Sequence, residues 1–156
     1  MEMKAIGVVH TPFTGLSKMP AGPYDFSAEL GVVEVFPSYS KGLKDLNGFS
    51  HVIIITSLHR STGEALLVVP PSQEEERGVF ATRSPARPNH LGLTVVELVK
   101  VKGRNVVVRG VDLLDGTPLV DIKPYLPSDC RWNLKVGWLR GAISIEESIL
   151  EGRLRN

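Results

Sequence analysis

The sequence predicts a mainly β fold, with its strands closed into a barrel or packed as a sandwich. Short apolar runs rich in Val and Ile recur along the chain, among them GVVEVF from Gly31, HVIIITSL from His51 and NVVVRGVDLL from Asn105. Gly and Pro punctuate the spaces between these runs, as turn chemistry requires. Helix start and stop signals gather only near the C-terminus, so strands outnumber helices and the sheet must bury its own face. At 156 residues the chain is long enough to bury a real core and is read as one domain over 1–156.

In order along the chain, KAIGVV from Lys4 reads as a strand ended by the Thr11-Pro12 turn, and 14–28 as a long loop. GVVEVF is a second strand, followed by PSYSKGLKDLNGF as turns with at most one helical turn. HVIIITSL is a continuous apolar run, expected as a strand buried on both faces. EALLVVP is a weaker strand. LTVVELVKV and NVVVRGVDLL flank Lys102-Gly103-Arg104 as a hairpin, and VDLL with PLVDI form a second hairpin through Asp115-Gly116. Ser144 and Glu147 have capping-box spacing and open a short C-terminal helix.

A net charge of +1 removes any global basic signal for nucleic acid, so a basic site has to be local. The one cysteine, Cys130, has no partner for an internal bridge, and neither a membrane-spanning apolar stretch nor a signal core appears. A cytoplasmic protein, away from membranes, is expected.

The most informative stretch is GVFATRSPARPNHLGL, from Gly78 to Leu93. Pro85 and Pro88 forbid a helix and push Ser84 and Arg87 towards extended geometry. Arg83 and Arg87 therefore sit on a pre-shaped loop, and their guanidinium forks suit carboxylate or phosphate. The plainer alternative is an exposed turn whose arginines pair with Glu74, Glu75 and Glu76.

His59 stands at the end of a buried strand, where a side chain can be held over a cleft. Asp121 and Lys123 share one strand face, with Ile122 on the other. Asp112, Asp121 and His59 lack the tight His/Cys spacing of a metal centre, so no metal is expected. No serine elbow, phosphate loop or glycine-rich dinucleotide turn is present.

Taken together, EVFPSYSKGLKDLNGFSHVIII, HRS, the arginine loop and DLLDGTPLVDIKPY resemble the successive motifs of the TsaA-like, TrmO-type family of S-adenosylmethionine-dependent tRNA methyltransferases. The motif core runs from about residue 6 to 127, with an extension over 128–156. The resemblance implies a compact β-barrel with short helices, unlike the doubly wound (Rossmann) methyltransferases, acting as a homodimer on tRNA. The implied reaction methylates the exocyclic nitrogen of N6-threonylcarbamoyladenosine next to the anticodon.

Carried over position by position, the cofactor contacts are His59, Arg60, Arg83, Leu93, Asp121, Ile122, Lys123 and Pro124, with Pro20, Ala21 and Gly22 from the long early loop. Arg87 and Asn89 would face the substrate. Asp121 or His59 would accept the proton that the attacked nitrogen must lose. His90 stands where the family carries a proline, which is expected to loosen the turn. Three other readings stay open: a cofactor-binding sensor, a methyltransferase acting on another small molecule, and a non-catalytic nucleic-acid barrel.

Overall fold

The computed structural model describes residues 2–19, 29–71 and 73–140. The alternating Val and Ile runs pair into a closed barrel of six strands. These are β1 (Gly7–His10), β2 (Leu30–Val35), β3 (His51–Ser57), β6 (Leu91–Lys102), β7 (Asn105–Arg109) and β8 (Thr117–Pro124), in the order β1-β2-β7-β6-β3-β8. Every adjacent pair is antiparallel. Closure leaves no free edge strand in the barrel. Two short strands, β4 (Leu67–Val68) and β5 (Arg77–Gly78), form a separate ribbon. Only these two positions of EALLVVP are extended in a ladder.

Alternation along each strand sends one set of side chains inward. Val9, Val33, Val52, Ile54, Val96, Val106, Val108 and Leu119 meet there as one buried cluster. β3 is therefore buried on one face only: Val52, Ile54 and Thr56 point inward while Ile53, Ile55 and Ser57 are half-buried outside. The continuous apolar run misled because a closed barrel offers a single interior, and the outer isoleucines are apolar for another reason. Pairing skips Val120 on β8 and Val99 on β6, and these bulges supply the bends that closure needs.

The hairpin at Lys102-Gly103-Arg104 forms as expected, with Gly103 at φ 59 in its two-residue turn. The second expected hairpin does not form. β7 pairs with β2 and β6, and β8 with β1 and β3, so the two are not neighbours. Residues 110–116 instead cross one end of the barrel past β2 and β1. Gly110 N–H donates to Glu29 O, Thr11 Oγ1 donates to Leu113 O at 2.8 Å, and Gly116 N–H donates to Val9 O at 2.9 Å. Val111 and Leu113 plug into the core from this link. Gly116 has φ 80, so the Asp115-Gly116 turn is real, but it delivers the link into β8.

The chain divides into two compact units, Met1–Tyr125 and Leu126–Asn156. In the second, 3-10 turns lie at Pro127–Asp129 and Gly137–Leu139, and Asp129 accepts the Leu126 N–H at 2.8 Å. The helix expected from Ser144 falls outside the described residues. Among the described residues no helix is long and apolar enough to cross a membrane.

Candidate functional site

Three links of the barrel, from β1 to β2, from β3 to β6 and from β7 to β8, emerge at the same end. Antiparallel pairing brings together the C-terminal ends of β1, β3 and β7 and the N-terminal ends of β2, β6 and β8. The described parts of these links, 11–19, 58–71, 73–90 and 110–116, therefore lie around one opening. A cavity of about 980 Å³ lies among them, near the upper end of the range usual for small-molecule sites. Leu16, Met19, Leu58, Pro71, Leu91, Leu93, Leu113 and Leu114 give it apolar walls. His59, Arg60, Arg83, Arg87 and Asp112 line it with charge or titratable nitrogen.

The arginine loop is fixed by its own hydrogen bonds as well as by its prolines. Arg87 Nη1 donates to Thr82 O at 2.9 Å and Ser84 O at 3.2 Å, and Thr82 Oγ1 donates to Val79 O at 2.9 Å. Ser61 Oγ donates to Pro85 O at 3.0 Å, tying the loop to the residues after β3. His90 does not loosen the turn. Its φ of 46 is one that a proline ring cannot adopt. The residue is anchored on three sides: Nε2 lies 2.9 Å from Gly63 O, its N–H donates to Arg87 O, and its carbonyl accepts the Leu58 N–H at 2.7 Å. The alternative pairing of the loop arginines with Glu74–Glu76 is absent among the described residues; Glu75 pairs with Arg77 at 2.6 Å.

Arg83 is exposed and holds no hydrogen bond or ion pair to a described residue, so its whole fork of donors is open to a ligand. Arg60 makes one long contact, Nη1 to Thr14 O at 3.4 Å. His59 is exposed at the rim. Five of the expected site residues thus meet in one cavity: His59, Arg60, Arg83, Arg87 and Leu93. Asn89 is exposed on the same loop but lines no part of it.

The DIKP residues stand differently. Asp121 and Ile122 border a smaller cavity of about 420 Å³, with Tyr39, Lys41 and Leu46 on its other walls. Asp121 pairs with Lys123 at 2.6 Å on the same strand, which is the shared face the sequence indicated. Pro124 lies opposite Val52 in the ladder. Register links this set to the first, since Asp121, Ile55 and Leu93 lie side by side across β8, β3 and β6. Leu93 and Asp121 are therefore two strand spacings apart, roughly 10 Å, on one outer face. That face also exposes Val95 and Val99. Pro20, Ala21 and Gly22 fall outside the described residues.

The groups present suit a zwitterionic nucleoside: guanidinium groups for a carboxylate and apolar walls for a flat ring. Among the described residues no group of His, Cys, Asp and Glu is arranged to hold a metal.

The family model described as the tRNA-methyltransferase O N-terminal domain matches residues 8–130. A Pyrococcus abyssi protein described as a probable S-adenosyl-L-methionine-binding protein is 47% identical over 152 residues, covering 96% of this chain and 83% of its own. A mouse tRNA (adenine(37)-N6)-methyltransferase is 42% identical over 106 residues, covering 65% of this chain and 25% of that protein. The crystal structure of TrmO from Pseudomonas aeruginosa superposes with a TM-score of 0.74 at 32% identity, over 88% of this chain. This chain spans 61% of that structure's length.

Proposed function

This chain belongs to the tRNA-methyltransferase O family, and on that premise we propose that it transfers a methyl group from S-adenosylmethionine to the exocyclic nitrogen of N6-threonylcarbamoyladenosine beside the tRNA anticodon. The observation that carries this reading is the convergence of His59, Arg60, Arg83 and Leu93 on one preformed cavity at the loop end of the barrel. When bound, the cofactor supplies an electrophilic methyl group on a positively charged sulfur. Arg83, with its donors open, holds a carboxylate of the cofactor or of the threonyl group. Arg87 spends only Nη1 on its own loop, leaving Nη2 and Nε for a substrate anion, with Asn89 beside it. Leu58, Leu91 and Leu113 exclude water from the transfer, and the rigid loop holds the two reactants in near-attack geometry.

Asp121, Ile122, Lys123 and Pro124 enter this reading through the outer face they share with Leu93. Ile53, Ile55, Leu93, Val95 and Val99 make that face apolar, and a second copy of the chain packed there would cover the row from Leu93 to Asp121. A homodimer is therefore part of the proposal, as is a cytoplasmic setting where tRNA is found.

The test is methylation by the purified chain of tRNA carrying the threonylcarbamoyl group, with nucleosides read by mass spectrometry. A one-methyl mass increase on the threonylcarbamoyl nucleoside is expected. Calorimetric binding of S-adenosylmethionine with no such product would leave a cofactor-binding sensor, and binding of neither cofactor nor tRNA would end both readings.

A further inference from the structure

One group in the cavity is used by none of the motif assignments. Among the described residues that line it, Asp112 is the only carboxylate, set against the three guanidinium groups of Arg60, Arg83 and Arg87. It belongs to the link that crosses the barrel end, between Val111, 0% exposed, and Leu113, 5% exposed. With both neighbours locked into the core, the backbone at Asp112 is pinned and its side chain is turned out to the cavity. From β6, Thr94 Oγ1 donates to Asp112 Oδ1 at 3.0 Å. Oδ2 has no partner among the described residues. A carboxylate with one oxygen tethered and the other open is an oriented acceptor for a proton.

We propose that Asp112 is the general base of the transfer and Thr94 its positioning residue. The proposal rests on the methyltransferase reading above. A nitrogen flanked by a carbonyl is a poor nucleophile while it keeps its proton. Asp112 Oδ2 takes that proton as the nitrogen bonds to the methyl carbon and the carbon–sulfur bond breaks, with its electron pair left on sulfur. The products are the methylated nitrogen, a neutral thioether and a protonated Asp112, which then returns its proton to water.

The two groups indicated by the sequence are worse placed. His59 is exposed, as Asp112 is, but unlike Asp112 it has no described residue hydrogen-bonded to its side chain to orient it. Asp121 is held by Lys123 at 2.6 Å and faces the outer surface and the smaller cavity, away from the arginines.

The experiment pairs binding with chemistry on the whole 156-residue chain. Asp112→Asn keeps the shape and can still accept from Thr94, but it cannot take a proton. Its calorimetric affinity for S-adenosylmethionine and for the thioether product should stay within about tenfold of the parent. Its single-turnover methylation rate should fall by about 10²- to 10⁴-fold. Thr94→Val should slow transfer with affinity unchanged, and Thr94→Ser should restore it. Asp121→Asn, measured alongside, should slow the step far less than Asp112→Asn.

A parental rate in Asp112→Asn would overturn the proposal. So would a loss of cofactor affinity large enough to account for the slower rate, because Asp112 would then be a binding group. Asp121→Asn failing while Asp112→Asn works would return the role to Asp121. A parent protein that binds cofactor yet transfers nothing would instead remove the function reading, and the role of Asp112 with it.

Discussion

The same six strands end in two different ways. At one end the connections are a two-residue turn at Gly103 and Arg104 and the segment 36–50, which coils into 3-10 turns at Pro37–Leu43 and Leu46–Gly48. Polar groups there serve the architecture. Arg104 Nη1 donates to Val35 O at 2.9 Å and Glu34 Oε1 at 3.2 Å, and Asn47 Oδ1 accepts the Val101 N–H at 3.1 Å. At the other end three links meet, and Arg83, His59 and Asp112 Oδ2 are left open around a cavity. Polar groups with partners hold the barrel shut; polar groups kept without partners, on backbone that cannot move, mark where a ligand is met. Hydrogen bonds fix the arginine loop and the 110–116 link at this end.

The comparison implies that the wall sets stability and the loop end sets binding. Ile54 is the sharpest test of the first half. It points inward from the middle of β3, is 1% exposed, and lines neither cavity. Ile54→Ala should cost about 2–5 kcal/mol in urea unfolding. Cofactor affinity, measured where the variant is still folded, should match the parent. A selective loss of affinity with little loss of stability would break the division.

Arg83→Ala tests the second half. The side chain is exposed with its donors open, so its removal should leave the unfolding midpoint unchanged. Cofactor affinity should fall by about 1.5–3 kcal/mol through loss of a charge-assisted contact. Parental affinity in calorimetry would make Arg83 a solubilising loop residue and nothing more.

These two residues also show how much of the molecule was legible in the sequence. Ile54 sits in a run whose composition announces a strand, and Arg83 in a loop whose prolines announce rigidity; both signals are local. The misreadings concern pairing between distant segments. VDLL and PLVDI are adjacent in sequence and look like a hairpin, yet closure of the barrel sends β7 to β2 and β8 to β1 and β3. The outer isoleucines of β3 are apolar like the inner ones, so alternation was hidden. Asp112 gave no local sign of its role, because what orients it is a hydroxyl 18 residues away on another strand. The split of the DIKP residues from the arginine loop was equally invisible, since it follows from which end of β8 faces which end of β3.

The smallest expected effect lies on the wall outside both cavities. Glu34, on β2, meets His10 Nε2 at 3.0 Å and Arg104 Nη1 at 3.2 Å, with Asp115 3.7 Å from the far nitrogen of the same histidine. The hydrogen bond with His10, and after it the charge and hydrogen bond of Arg104, hold the Glu34 carboxyl below its usual range. A folded-state value below the unfolded one means that the carboxylate favours the folded chain above the ordinary carboxylate value. That contribution fades as pH falls through the lower, folded value. Urea midpoints of the parent and of Glu34→Gln should therefore differ near neutral pH and converge as the pH falls through the lowered, folded-state value. The gap should be small, as exposed pairs are, and salt should shrink it further. Cofactor affinity should be untouched, since Glu34 lines neither cavity. A gap that stays constant with pH would mean that the cluster around Glu34 acts through packing and not through charge, and the partnered polar groups of the wall would then be fillers instead of clasps.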